Sequence, residues 1–294
     1  MTSEGNIRYA WPLRPEVELK IGTIRLGDGT GVQVFQYSPP GRSDGPAVLY
    51  CHGIQSHPGW FTGSCQALAA AGCRVFAVTR RGSGEATTHR GHARSAGQLL
   101  DDVDAAMAYV RQVSREANPA LVGVSWGGKL LTAWCMRAKT PVASSLTLVA
   151  PGLAAQVDLR AATKLGIAAA ALFRPEKLCD IPLSDPALFT DNPAMQRYLA
   201  DDPCRLTRAT ARFLVVSRCL DWALSFAPEG ALTLPTTLLL ARRERIIDNP
   251  ATRSIVNRLT AGRAKVEELD TAHTMDFEPD PAAFYARLVA AVGR

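Results

Sequence analysis

The chain has 294 residues, 47% of them hydrophobic and 20% charged, enough for one sizeable α/β core with room for an inserted subdomain. The formal net charge is +6, yet no run of five Lys or Arg occurs, which excludes a nucleic-acid-binding tail and leaves a basic, solubilising surface. Seven cysteines (Cys51, Cys65, Cys73, Cys135, Cys179, Cys204, Cys219) form no CxxC pair, so a disulfide scaffold is not expected and a reducing cytoplasm is.

The opening stretch MTSEGNIRYAWPLRPEVELK has no apolar core and is expected to be neither signal peptide nor anchor. Only the first dozen residues, around Trp11-Pro12 and Arg14-Pro15, read as disordered. Residues 17–26 alternate apolar and polar side chains, GDGTG (27–31) turns, and 32–37 returns, which predicts a hairpin. No helix follows those glycines, so they are not a phosphate loop.

From residue 47 the pattern changes. Short β-rich runs occupy 47–52, 74–79, 120–125, 145–150, 236–241 and 264–269. Helical candidates lie between them at 61–71, 96–116, 126–139 and 250–260, and 281–292 closes the chain. Continuously apolar strands separated by amphipathic helices predict an α/β fold with a mostly parallel sheet covered on both faces. Residues 153–230 break the rhythm. They hold helical pieces interrupted by Pro175, Pro182, Pro186, Pro193 and Pro203, and are too long for a loop. We read them as a helical insertion into a core formed by 1–152 and 231–294. The longest apolar run, 165–173, is too short to cross a bilayer.

The strongest chemical signal is GVSWG (123–127). It follows an apolar strand and opens a helix, the context a nucleophile elbow requires. Its serine, Ser125, needs a base to take its proton. His273, just past the last strand run in LDTAHTMDFEPD, fits that role. His57, His89 and His92 sit in early loops, and the HxxH spacing of the last two lacks the carboxylate or second pair a metal site needs. A carboxylate should orient His273 from the end of the preceding strand. Glu244 and Asp248 compete, and Glu244 is preferred because it is nearer the strand end.

HGIQ (52–55) ends the third run. The tetrahedral oxyanion of acyl transfer needs fixed N–H donors, here the backbone amides of Ile54 and Trp126. Gly53 would let the backbone approach a substrate closely, with His52 beside it. RRGSGE (80–85) lacks a P-loop Lys-Ser/Thr and reads as a structural loop near the site.

With these residues placed, the chain resembles the monoacylglycerol lipase and lysophospholipase group of the α/β-hydrolase superfamily. HGIQSHPGW (52–60), RRGSG (80–84), GVSWGG (123–128), RERIIDN (243–249) and HTMDFEP (273–279) carry the resemblance, as does IPLSDPALFTDNP (181–193) in the insertion. It implies the α/β-hydrolase fold with a helical cap. It also implies a serine hydrolase that cleaves a monoacylglycerol, lysophospholipid or similar acyl ester without metal or organic cofactor. The family's acid is usually Asp, and its position falls on Glu244, which reaches further with the same charge. Leu165 and Phe173 in the apolar run are expected against an acyl chain or a membrane surface. Acidic and basic residues balance across 153–230, so any membrane contact would be transient. A thioesterase, a peptidase or a carbon–carbon hydrolase could use the same residues, and a non-catalytic ligand-binding homologue is the alternative from another class.

Overall fold

A computed structural model describes residues 8–39, 41, 45–137 and 143–293. An antiparallel hairpin, β1 (Glu18–Arg25) and β2 (Gly31–Ser38), leads into β3 (Ala47–Cys51), α1 (Thr62–Ala70), β4 (Arg74–Val78) and α2 (Ala96–Ser114). Then come β5 (Ala120–Val124), α3 (Trp126–Arg137), β6 (Leu146–Val149), α4 (Ala161–Phe173), β7 (Leu178–Asp180) and α5 (Pro193–Asp201). The chain finishes with β8 (Arg208–Thr210), α6 (Ala211–Ser225), β9 (Thr236–Ala241), α7 (Asn249–Thr260), β10 (Lys265–Leu269) and α8 (Ala282–Val292).

Eight strands form one sheet in the order β1-β2-β4-β3-β5-β6-β9-β10. The first two join antiparallel and every pairing from β4 onward is parallel. The central strands are apolar at nearly every position because helices cover both their faces: β5 and β6 are wholly buried, as is β9. Helices α1 and α8 pack together, while α2 packs with α3. The fold is the expected α/β one, and the strand runs agree with the sheet to within a residue or two at each end. The far end of the helix predicted over 126–139 lies outside the described residues.

Two expectations change. The opening residues that are described are held in place, although 1–7 fall outside the description. The Trp11 indole donates to the Asp276 carbonyl (2.8 Å), and the Gln66 amide donates to the Pro12 carbonyl (3.1 Å). An indole that finds both a buried surface and a hydrogen-bond acceptor anchors a segment that composition alone marks as loose. Between β6 and β9 the chain forms α4, α5 and α6, and β7 and β8 also pair as a short antiparallel ribbon. Strands of three residues give no period for a sequence pattern to reveal.

Residues 153–230 are fastened to the rest of the chain at several points. On α6, Ser217 accepts the Trp126 indole N–H (2.8 Å), and Asp221 pairs with Lys129 of α3 (2.5 Å). Asp202 meets His57 (3.0 Å) and the Trp60 indole (2.7 Å) in full burial. His57 Nδ1 accepts from the Gly59 amide, so Nε2 carries the proton donated to Asp202. Arg205 reaches Gln55 Oε1 (3.0 Å), and the Leu206 amide donates to the Gln55 carbonyl (2.8 Å).

Candidate active site

The parallel sheet delivers β5, β9 and β10 with their C-terminal ends on one edge, where loops bring distant residues together. Ser125 follows β5 with φ of 50°, a left-handed conformation costing a non-glycine residue roughly 1–2 kcal/mol. Surrounding bonds hold it there. Its amide donates to Val149 (2.9 Å), and its carbonyl accepts from the Gly128 and Gly152 amides (2.9 and 2.8 Å). At Gly127 a Cβ would collide with the carbonyl oxygens of Cys51 and His52, so the turn closes against β3 only with glycine.

His273 lies in the loop after β10, with its Nε2 3.1 Å from Ser125 Oγ. Its Nδ1 is 2.9 Å from both carboxylate oxygens of Glu244. A carboxylate only accepts, so Nδ1 carries the hydrogen and Nε2 is left to accept from the serine hydroxyl. Glu244 Oε1 also accepts from the amides of Arg245, Ile246 and Ile247. Burial pushes the Glu244 carboxyl up, but the facing imidazole and the Ile246 and Ile247 amides outweigh it, and the net shift is below the usual carboxylate value.

Asp248, the alternative acid, is exposed and points elsewhere. Its Oδ1 accepts from the Ala251 amide (2.9 Å) and caps α7, the role its place before a proline-led helix dictates.

Ile54 borders the same cavity as Ser125, and Trp126 follows Ser125 in the chain and opens α3. Among the described residues, neither backbone amide donates to a protein group. For Trp126 this follows from its place in the first turn of α3, where N–H groups have no intrahelical acceptor. A cavity of about 20 Å³ adjoins Ser125, walled by Gly53, Ile54, Trp60, Leu183, Phe189 and His273. A hydroxyl, a base holding its lone pair toward it, and free amides beside it form a constellation suited to acyl transfer.

The family model for serine aminopeptidase, S33, matches residues 44–280. The chain belongs to this family. Comparison with curated proteins gives no match. Among solved structures, this S33 hydrolase is similar to the monoacylglycerol lipase of Paleococcus ferrophilus, with 19% identity and a TM-score of 0.74, over 93% of this chain and 99% of that one. It is also similar to a soluble variant of the Saccharomyces cerevisiae monoglyceride lipase bound to a substrate analog, with 15% identity and a TM-score of 0.77, over 97% of each chain. A thioesterase domain from the curacin biosynthetic pathway aligns at 18% identity and a TM-score of 0.63, over 92% of this chain and 99% of that one. At such identities the likeness establishes the shared α/β-hydrolase fold.

Some sequence expectations for the site need correction. In this S33 hydrolase His52 does not line the cavity beside Ser125. Its Nε2 accepts from the Arg80 amide (2.9 Å), so Nδ1 is the protonated nitrogen and donates to the Gly53 carbonyl (2.8 Å). Both ring nitrogens are therefore engaged with backbone, and His52 has nothing left to offer a substrate. Gly53 does border the cavity, and a Cβ there would stand 3.3 Å from Ser125 Cβ. Leu165 and Phe173 lie on α4 with 72% and 83% of their surface exposed, outside the cavity wall, which removes the acyl-chain alternative at this cavity and leaves the surface one. Helix periodicity gives them an apolar stripe but not the direction it faces.

Three residues that matter to the site's geometry were not singled out from sequence. Glu278 accepts from the Ala272 amide (2.6 Å) and from Arg243 (2.7 Å), clasping the loop that carries His273. Its place in HTMDFEP was the available signal. Phe189 packs its ring on His273 and Trp60, and its carbonyl accepts from the Thr274 amide (2.9 Å). Arg80, in the RRGSG string, is buried against the loop of Ile54.

Proposed function

We propose that the protein is a serine hydrolase that cleaves a carboxylic ester through an acyl-enzyme, with Ser125 as nucleophile, His273 as base and Glu244 as the acid orienting it. The observation that carries this reading is the unbroken hydrogen-bond line from Ser125 Oγ through His273 to Glu244. His273 Nε2 takes the hydroxyl proton as Oγ attacks the acyl carbon, and the imidazolium that forms faces the Glu244 carboxylate. The tetrahedral oxyanion accepts from the Ile54 and Trp126 amides. His273 then gives its proton to the departing alcohol, takes one from a water that attacks the acyl carbon, and returns it to Ser125 Oγ as the acid departs. These side chains account for every proton movement without a metal or organic cofactor.

Fold likeness to lipases supports an acyl ester of the monoacylglycerol or lysophospholipid kind as the substrate class, and the small cavity beside Ser125 favours a short acyl chain within that class. The stretch 153–230 serves as a cap in this scheme. The apolar side chains exposed on α4 support brief contact with a lipid surface, made without insertion. Among the described residues no helix is long and apolar enough to cross a membrane. All seven thiols are free, in keeping with a cytoplasmic location.

The test is hydrolysis of p-nitrophenyl butyrate by the wild type and Ser125→Ala, with fluorophosphonate labelling of both. Turnover and labelling should vanish together in the variant. A variant that keeps the wild-type rate would end the proposal.

A further inference from the structure

Arg80 is a buried charged residue beside the proposed site that the mechanism does not use. Its guanidinium is buried, and among the described residues no carboxylate pairs with it. Burial pushes its pKa down to about 9. Isolated buried charge is costly, so its contacts indicate what the fold gains from it. Nη2 donates to the Ile54 carbonyl (2.8 Å). The guanidinium lies 5.0 Å from the Trp126 ring and 4.9 Å from the Phe213 ring of α6. The Arg80 amide fixes His52, which in turn holds the Gly53 carbonyl.

That carbonyl belongs to the same planar peptide as the Ile54 N–H. The peptide before Ile54 is therefore held by His52 and the one after it by the Arg80 side chain. The same guanidinium stacks on the residue that supplies the other amide. Lysine could not make both contacts, because a point charge lacks the planar fork.

We propose that Arg80 is a positioning residue for oxyanion stabilisation, fixing the peptide of Ile54, packing on the side chain of Trp126 and bringing a positive charge one peptide away from the Ile54 amide. This rests on the ester-hydrolase reading above. It goes further in assigning a transition-state role to a side chain outside the Ser-His-Glu line and outside the amide pair itself.

Donors aimed at developing charge act in the transition state and little in the ground state. Losing their support should therefore lower kcat with little effect on KM. Arg80→Met keeps much of the stacking volume and removes the fork and charge. Its kcat per fluorophosphonate-titrated site should fall about 10-fold to 100-fold, below the ~100-fold or more lost when a donor itself is removed. KM should stay within about 2-fold, the pattern for an interaction made only in the transition state. Affinity for a trifluoromethyl ketone, which forms an oxyanionic adduct on the serine, should fall by the same factor as kcat.

Arg80→Lys should recover part of both losses in proportion, and it carries the same comparison if the methionine variant does not fold. A purely structural role would lower the titrated fraction or the Tm and leave kcat per site unchanged. That result overturns the Arg80 proposal alone. Wild-type turnover in Ser125→Ala would overturn the hydrolase reading and this proposal with it.

Discussion

The proposed mechanism places a definite electrostatic demand on Glu244. When His273 becomes an imidazolium, its charge centre lies roughly 4 Å from that of the carboxylate, given the 2.9 Å contacts from Nδ1 to both oxygens. At an effective dielectric of about 20, that pair is worth roughly 4 kcal/mol. Glu244→Gln removes the charge with almost no change of shape. Its carbonyl can take the place of Oε1, where it would keep the bonds from Arg245, Ile246 and Ile247 and one to Nδ1. The loss should therefore fall on the transition state, lowering kcat by about 10³-fold with KM little altered. Asp248→Asn is the matched control. Asn caps a helix about as well as Asp, so that variant should stay within about 2-fold of wild type. Steady-state hydrolysis of p-nitrophenyl butyrate, normalised to titrated sites, measures both. If Glu244→Gln kept more than a tenth of wild-type kcat, or if Asp248→Asn lost as much, the electrostatic account of His273 would be refuted.

The cavity beside Ser125, about 20 Å³, has room for little more than one small group, so kcat/KM should be higher for p-nitrophenyl acetate than for the octanoate. Phe189→Ala removes one wall and should narrow that preference roughly 10-fold; an unchanged ratio would show that the acyl chain lies elsewhere. Asp276 supplies a separate check on stability. Burial lifts its carboxyl to about 7, above the ~3.9 of an unfolded chain. The folded state thus retains a proton that the unfolded state releases between those values, and this group's contribution is full below about pH 4 and declines toward pH 7. The wild-type Tm minus that of Asp276→Asn should therefore fall as pH rises from 4 to 7.5, and a constant difference would contradict it.

The sheet was legible because buried parallel strands must be apolar throughout, and runs such as AVLYC and TTLLLA have few other uses. Ser125 was legible because a small-residue turn between such a strand and a helix is rare. His273 and Glu244 were legible from chain order relative to the strands. The partners across the fold were not. His57 and Asp202 stand 145 positions apart, and nothing in either neighbourhood announces the other. Arg80 reads as part of a loop because composition does not separate a buried guanidinium from a solvated one. His52 was expected to face a substrate, whereas its tautomer is fixed by an amide 28 positions further on. The exposed α4 side chains illustrate the same limit, since an apolar stripe states that a face is greasy but not what covers it.

The fastenings between residues 153–230 and the rest of the chain have a thermodynamic consequence. Ser217 holds the indole next to the serine, the Phe189 carbonyl holds the loop of His273, and Leu206 and Asp202 hold the segment after β3. The helix opening at Trp126, the loop of His273 and the segment after β3 are thus each bound to the 153–230 stretch. The disorder these loops would otherwise retain is removed once, when the chain folds, and need not be removed again at each encounter with a ligand. A ligand would therefore meet an assembled site and would not have to gather it.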